Sequence, residues 1–153
     1  MSPLKRILLV EDSENDIELT LSALEDANLA NEVDVVRDGQ EAIDYLYRQG
    51  GYAHRADGHP AVVLLDLKLP KVNGLEVLAR IKGDESLKAV PVVMLTSSRE
   101  ETDLARSYGL GVNAYVVKPV GFSDFSTALK ELGLFWAVVN QPPPGSIRKD
   151  GKR

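Results

Sequence analysis

Three segments of the chain, RILLV at 6–10, AVVLLD at 61–66 and PVVML at 91–95, are apolar at nearly every position rather than at every second one. A strand with one wet face alternates polar and apolar side chains, so strands without alternation need cover on both faces. That requirement points to a parallel sheet held between layers of helices. The intervening sequence supplies the cover. Ile17, Leu21 and Leu24 recur at helical spacing, Ala42, Ile43 and Leu46 mark a second helix, and Leu75, Leu78 and Ile81 a third. Ser13, with Asp16 three residues on, reads as a capping pair, Gly83 as a C-terminal stop, and SREE at 98–101 as a capping box opening a fourth helix. A fifth helix begins near Ser123, and EVDVV and AYVV complete the strands. The predicted fold is α/β, a doubly wound five-stranded parallel sheet with five helices.

A chain of 153 residues suits one domain. No apolar run approaches the roughly 20 residues that span a bilayer. The start, MSPLKRILLV, lacks a secretory h-region and cleavage site. There is no cysteine, which excludes disulfides and thiolate metal sites and fits a reducing cytoplasm. In the last thirteen residues Arg148, Lys149, Lys152 and Arg153 stand against Asp150 alone, a net +3 that leaves −8 on residues 1–140. An acidic body argues against nucleic acid or a membrane as partner and suits a divalent cation or a basic protein surface.

In open parallel sheets, ligands bind beyond the carboxyl ends of the strands. That rule brings Glu11, Asp12, Asp66, Thr96 and Lys118 to one rim. Converging carboxylates raise one another's pKa unless a cation relieves them. Mg²⁺ held by carboxylate and carbonyl oxygens is one candidate, and the long-stemmed ammonium of Lys118 is the other. A carboxylate nucleophile, charge neutralisation and a hydroxyl donor in Thr96 are together what an incoming phosphoryl group requires, and Asp66 would then become an acyl phosphate.

ILLVEDS, LLDLKLP, NGLEVLARIK, PVVMLTS and AYVVKP resemble the successive signatures of the response-regulator receiver domain, over roughly residues 4 to 135. The resemblance implies a flavodoxin-like fold and a Mg²⁺-dependent phosphoacceptor, Asp66, charged by a histidine kinase. By the same likeness Glu11 and Asp12 organise the metal, the backbone carbonyl of Lys68 is a further ligand, and Thr96 and Lys118 contact the phosphoryl oxygens. Thr96 and Tyr115 form the switch, and the Lys118-Pro119 bond is expected to be cis. The implied activity is not enzymatic beyond self-phosphorylation from a donor and slow autodephosphorylation.

Residues 1–140 are thus expected to form the receiver, with 141–153 a flexible tail too rich in turn formers to fold. The receiver is expected to be the whole protein, a two-component regulator acting through protein contacts as a relay, sink or diffusible messenger. Phe122, Phe125, Leu129, Leu132, Trp136 and Val139 make an ordinary core stripe on the fifth helix, and Leu134, Phe135 and Val138 fall outside it. That second apolar face predicts a homodimer through helix four, strand five and helix five, with Phe122, Leu134, Phe135, Trp136 and Val138 at the interface. The long polar connection QGGYAHRADGHP at 49–60 reads as unstructured, with His54 and His59 solvated. With the FW pair, it makes the chain resemble the single-domain regulators paired with bacterial phytochrome kinases. Two alternatives remain open: a receiver-like module that never takes phosphate, and a phosphohydrolase of the haloacid-dehalogenase type. The latter expects a second aspartate where Lys68 stands.

Overall fold

All five predicted strands form: β1 (Ile7–Val10), β2 (Val33–Val36), β3 (Val62–Asp66), β4 (Val92–Thr96) and β5 (Ala114–Val117). They come from a computed structural model that describes residues 6–26, 33–55, 58–96, 106, 109–118 and 127. The strands make one sheet in the order β2-β1-β3-β4-β5, with every neighbouring pair parallel. This is the flavodoxin-like order, in which the winding reverses between β1 and β3 and opens a crevice at their carboxyl ends.

The missing alternation has the expected cause. Leu8, Val10, Val63, Leu65 and Met94 face one core beneath α2 (Gly39–Tyr47) and α3 (Gly74–Gly83). Ile7, Leu9, Val62, Leu64 and Leu95 face a second core beneath α1 (Glu14–Asp26). Leu8 and Leu9 are both 0% exposed, and each buried side chain of this size contributes about 1.5–3 kcal/mol. Edge strand β2 differs because one side has no neighbour, and Asp34 on it accepts hydrogen bonds from the Arg6 guanidinium and the Tyr45 hydroxyl.

Local signals set the helix ends. Ser13 Oγ accepts the Asp16 N–H at 3.3 Å, Asp38 accepts the Glu41 N–H at 2.8 Å, and Asn73 accepts the Glu76 N–H at 3.0 Å. Two details depart from the sequence reading. The Asp16 carboxylate does not complete a capping pair but turns toward Lys118. Gly83 ends α3 without a left-handed turn, and Asp84 follows in extended conformation with its carboxylate accepting from Ser86 and from the Tyr47 hydroxyl.

Residues 49–55 of the 49–60 connection are also more ordered than their polarity predicts. A 3-10 turn spans Gly50–Tyr52, the Tyr52 ring stands edge-on to Tyr45 at 5.2 Å, and the Tyr52 hydroxyl donates to Glu41 at 2.7 Å. Arg55 lies 4.3 Å over the Tyr45 ring and donates to the Tyr45 carbonyl. His54 and His59 are exposed, as expected. Three α-helices have their bounds among the described residues, of which Arg106, Gly109 and Thr127 are also helical; the rest of the predicted fourth and fifth helices, the tail, Pro119, Phe122, Leu134, Phe135, Trp136 and Val138 lie outside them.

Candidate functional site

The parallel register sets Val10 of β1 beside Leu65 of β3, so the next residues, Glu11 and Asp66, emerge together at the switch point. Glu11 is 1% exposed, yet both of its oxygens are engaged. Oε2 accepts the N–H groups of Asp12 and Ser13 at 3.1 and 3.2 Å, and Oε1 accepts from Lys118 Nζ at 2.5 Å.

Lys118 follows β5 and reaches across the rim. Its ammonium donates to Glu11 and, at 2.9 Å, to Asp16, and lies 3.4 Å from Asp66 Oδ2. Three protons thus serve three carboxylates. Carboxylate oxygens of Glu11, Asp12 and Asp66 all lie within 4.8 Å of one another, the one group of metal-ligating side chains among the described residues.

This crowding perturbs both partners. Burial, and then the Glu11 charge, push Asp66 up from 3.8 to about 7 against the pull of Lys118 and of the hydrogen bond from the Lys68 backbone. Burial opposes the charge on Lys118, but its hydrogen bonds to Glu11 and Asp16 and the nearby Asp66 charge outweigh that and raise it to about 12. One cation among four acids leaves the cluster electron-rich. Hard oxygen donors with uncompensated negative charge are what a hard divalent cation requires, so the residues present fit one.

The sequence-predicted residues fall as follows. Glu11, Asp12, Asp66 and Lys118 converge. Thr96 ends β4, with Leu95 beside Asp66 on one flank and its own partner, Val117, preceding Lys118 on the other. Tyr115 on β5 is half-buried and packs against the core beneath α2 and α3. Lys68 is exposed two residues past Asp66. The sequence reading missed Asp16, which the capping interpretation had absorbed. Its signal was spacing, since it stands four residues beyond Asp12 in the first turn of a helix that opens at the rim.

A family model described as the response regulator receiver domain matches residues 7–130, and the chain belongs to that family, whose members are signalling modules of two-component systems activated by phosphorylation. Family membership implies a divalent metal at the acidic cluster and a histidine kinase as partner.

Among solved structures, a bacteriophytochrome response regulator, RtBRR, is 63% identical with a TM-score of 0.83, over 94% of this chain and 87% of that one. The phosphorylated cyanobacterial phytochrome response regulator RcpA is 45% identical with a TM-score of 0.73, over 88% and 94%. Response regulator Rcp1 of Synechocystis sp. is 42% identical over 135 residues, 88% of this chain and 90% of that protein. Its Mn(2+)-bound form aligns with a TM-score of 0.73 at 40% identity, over 91% and 99%. No helix among the described residues is long and apolar enough to cross a membrane.

Proposed function

We propose that Asp66 is the phosphoacceptor of this chain, taking a phosphoryl group from the phosphohistidine of a histidine kinase and signalling by protein contact. The observation that carries this reading is a buried carboxylate with an ammonium 3.4 Å away and two further acids within 4.8 Å. An Asp66 oxygen attacks phosphorus, the P–N bond breaks, and the electron pair leaves with the imidazole, which takes up a proton. Lys118 neutralises charge on the phosphoryl oxygens and Thr96 donates a hydrogen bond to them. Glu11, Asp12, Asp66 and the Lys68 carbonyl would hold Mg²⁺, which when bound offsets the acid cluster and the charge of the transferring group.

Tyr115 and Thr96 form the switch, and the receiver occupies residues 1–140 with 141–153 as tail. The likeness to RtBRR, RcpA and Rcp1 supports a bacterial phytochrome as the kinase and a cytoplasmic setting. The apolar excess of Leu134, Phe135 and Val138 beyond the core stripe supports a homodimer, with Phe122 and Trp136 beside them at its interface. Sedimentation is expected to show dimer at tens of micromolar; monomer alone, both with and without phosphate on the chain, contradicts it.

Phosphoryl capture is tested directly with Mg²⁺ and acetyl phosphate. Intact-mass measurement is expected to show one base-labile phosphoryl adduct on the native chain and none on Asp66→Asn. A comparable adduct on the variant, or steady turnover of phosphate esters, overturns the reading.

A further inference from the structure

The loop at 67–73 leaves directly from the end of β3 at Asp66, so the path of its backbone sets where the Asp66 carboxylate and the Lys68 carbonyl point. Two glycines grip the loop where no other residue fits. A Cβ on Gly74 would overlap the carbonyl oxygen of Asp66 and lie 2.6 Å from that of Leu67, whose oxygen already accepts the Gly74 N–H at 2.9 Å. Gly39, the first residue of α2, belongs to a different element altogether. A Cβ there would overlap the carbonyl of Val72, and its N–H donates to the Pro70 carbonyl at 3.3 Å. Beside it, the Asp38 carboxylate lies 3.6 Å from Lys71 Nζ, and Lys71 has a φ of 66°, a left-handed conformation that a lysine rarely adopts. Val72 and Leu69 pack into the core beneath α2 and α3. Backbone thus lies on backbone from α2 to the loop.

We propose that Gly39 is a positioning residue for the site: its close approach to Val72 and Pro70 lets α2 hold the 67–73 loop, and with it the Asp66 carboxylate and the Lys68 backbone, in the geometry that accepts a divalent metal and a phosphoryl group. This rests on the phosphoacceptor reading of Asp66. Any side chain at position 39 lifts the loop from α2. The displacement passes along 67–73 to Lys68 and Asp66, where the loop leaves the sheet. The contact is short-range and steric, so the smallest possible substitution already breaks it.

The test compares the native full chain with Gly39→Ala and with Leu87→Ala, which empties a core position 1% exposed and outside both the loop and the rim. Three quantities are read: Mn²⁺ affinity by calorimetry, amide exchange at 67–73, and the rate of adduct formation from acetyl phosphate. Gly39→Ala is expected to weaken Mn²⁺ binding about 10-fold, the usual scale for loss of a group that orients metal ligands, and to slow adduct formation by a similar factor. Exchange at 67–73 accelerates with it. Leu87→Ala lowers the melting temperature while keeping native Mn²⁺ affinity. Equal Mn²⁺ affinities in Gly39→Ala and the native chain overturn the proposal, as does an equal loss in both variants. Should Gly39→Ala fail to fold, Val72→Ala trims the side chain that seats the loop against α2 and leaves Gly39 and the acid cluster intact; weaker Mn²⁺ binding with faster exchange at 67–73 supports the proposal, and native values in both overturn it. A native chain that binds Mn²⁺ but forms no adduct defeats the phosphoacceptor reading alone.

Discussion

Replacing Lys118 with methionine is expected to destabilise the chain by about 3 kcal/mol at pH 8, the scale seen when one partner of a buried ion pair is removed. The methionine keeps the stem's volume, so the loss is one of charge. It leaves Glu11, 1% exposed, and Asp66, 7% exposed, facing each other without the ammonium that now lies 2.5 and 3.4 Å from them. The pH dependence of the loss is diagnostic. The folded Lys118 pKa lies above its ordinary 10.5, so its contribution is fully present below pH 10.5 and is lost as pH rises through about 12. In the variant Asp66, already raised by burial and now without the ammonium, takes up a proton instead, so the deficit shrinks as pH falls toward 5. Urea denaturation of both chains across this range measures it. A deficit under about 1 kcal/mol at pH 8 would mean that the ammonium behaves like an exposed surface pair.

The substitution Asp66→Asn acts in the opposite sense on stability and abolishes phosphoryl capture. An acid whose folded pKa is raised binds protons more tightly in the native state than unfolded. The native chain therefore loses stability as pH rises from 3.8 to about 7 and stays at the lower level above it. Asparagine removes the charge, keeps the shape and can donate to Glu11. In metal-free buffer at pH 8, Asp66→Asn is expected to be more stable than the native chain by about 2–4 kcal/mol, from a shift of about three pKa units less some relaxation. Its stability is then flat between pH 5 and 8 where the native curve slopes. Divalent cation reverses the ranking because it stabilises only the form that binds it. The same proton must leave before metal is held, so native metal affinity weakens as pH falls below about 7. Identical metal-free pH profiles for the two chains would contradict an Asp66 carboxyl raised by burial.

Much of this site was legible because strand ends in a parallel sheet are fixed points. Once 6–10, 61–66 and 114–117 are read as strands, Glu11, Asp66 and Lys118 have nowhere to go except one rim, and their proximity at 2.5 to 3.4 Å follows from topology. Asp16 was lost because a first-turn acid satisfies a local capping rule equally well, and only the tertiary position of an ammonium 102 residues away decides between the two uses. The order of residues 49–55 was hidden for a similar reason. Tyr52 and Arg55 look like loop residues until Tyr45, on a helix that the apolar spacing did identify, offers them a ring face. Gly39 and Lys71 were illegible because a contact between two backbones has no side-chain signature: a glycine opening a helix reads as ordinary, and a lysine in a turn carries no mark of a positive φ.

One carboxylate, that of Asp66, is expected to receive the phosphoryl group. Borohydride reduces an acyl phosphate to the alcohol, converting a phosphorylated aspartate to homoserine, and peptide sequencing by mass spectrometry then locates it. After treatment with acetyl phosphate and Mg²⁺, homoserine is expected at position 66 and nowhere else. Homoserine at position 12, or none at 66 in a chain that has gained a phosphoryl group, would contradict the account.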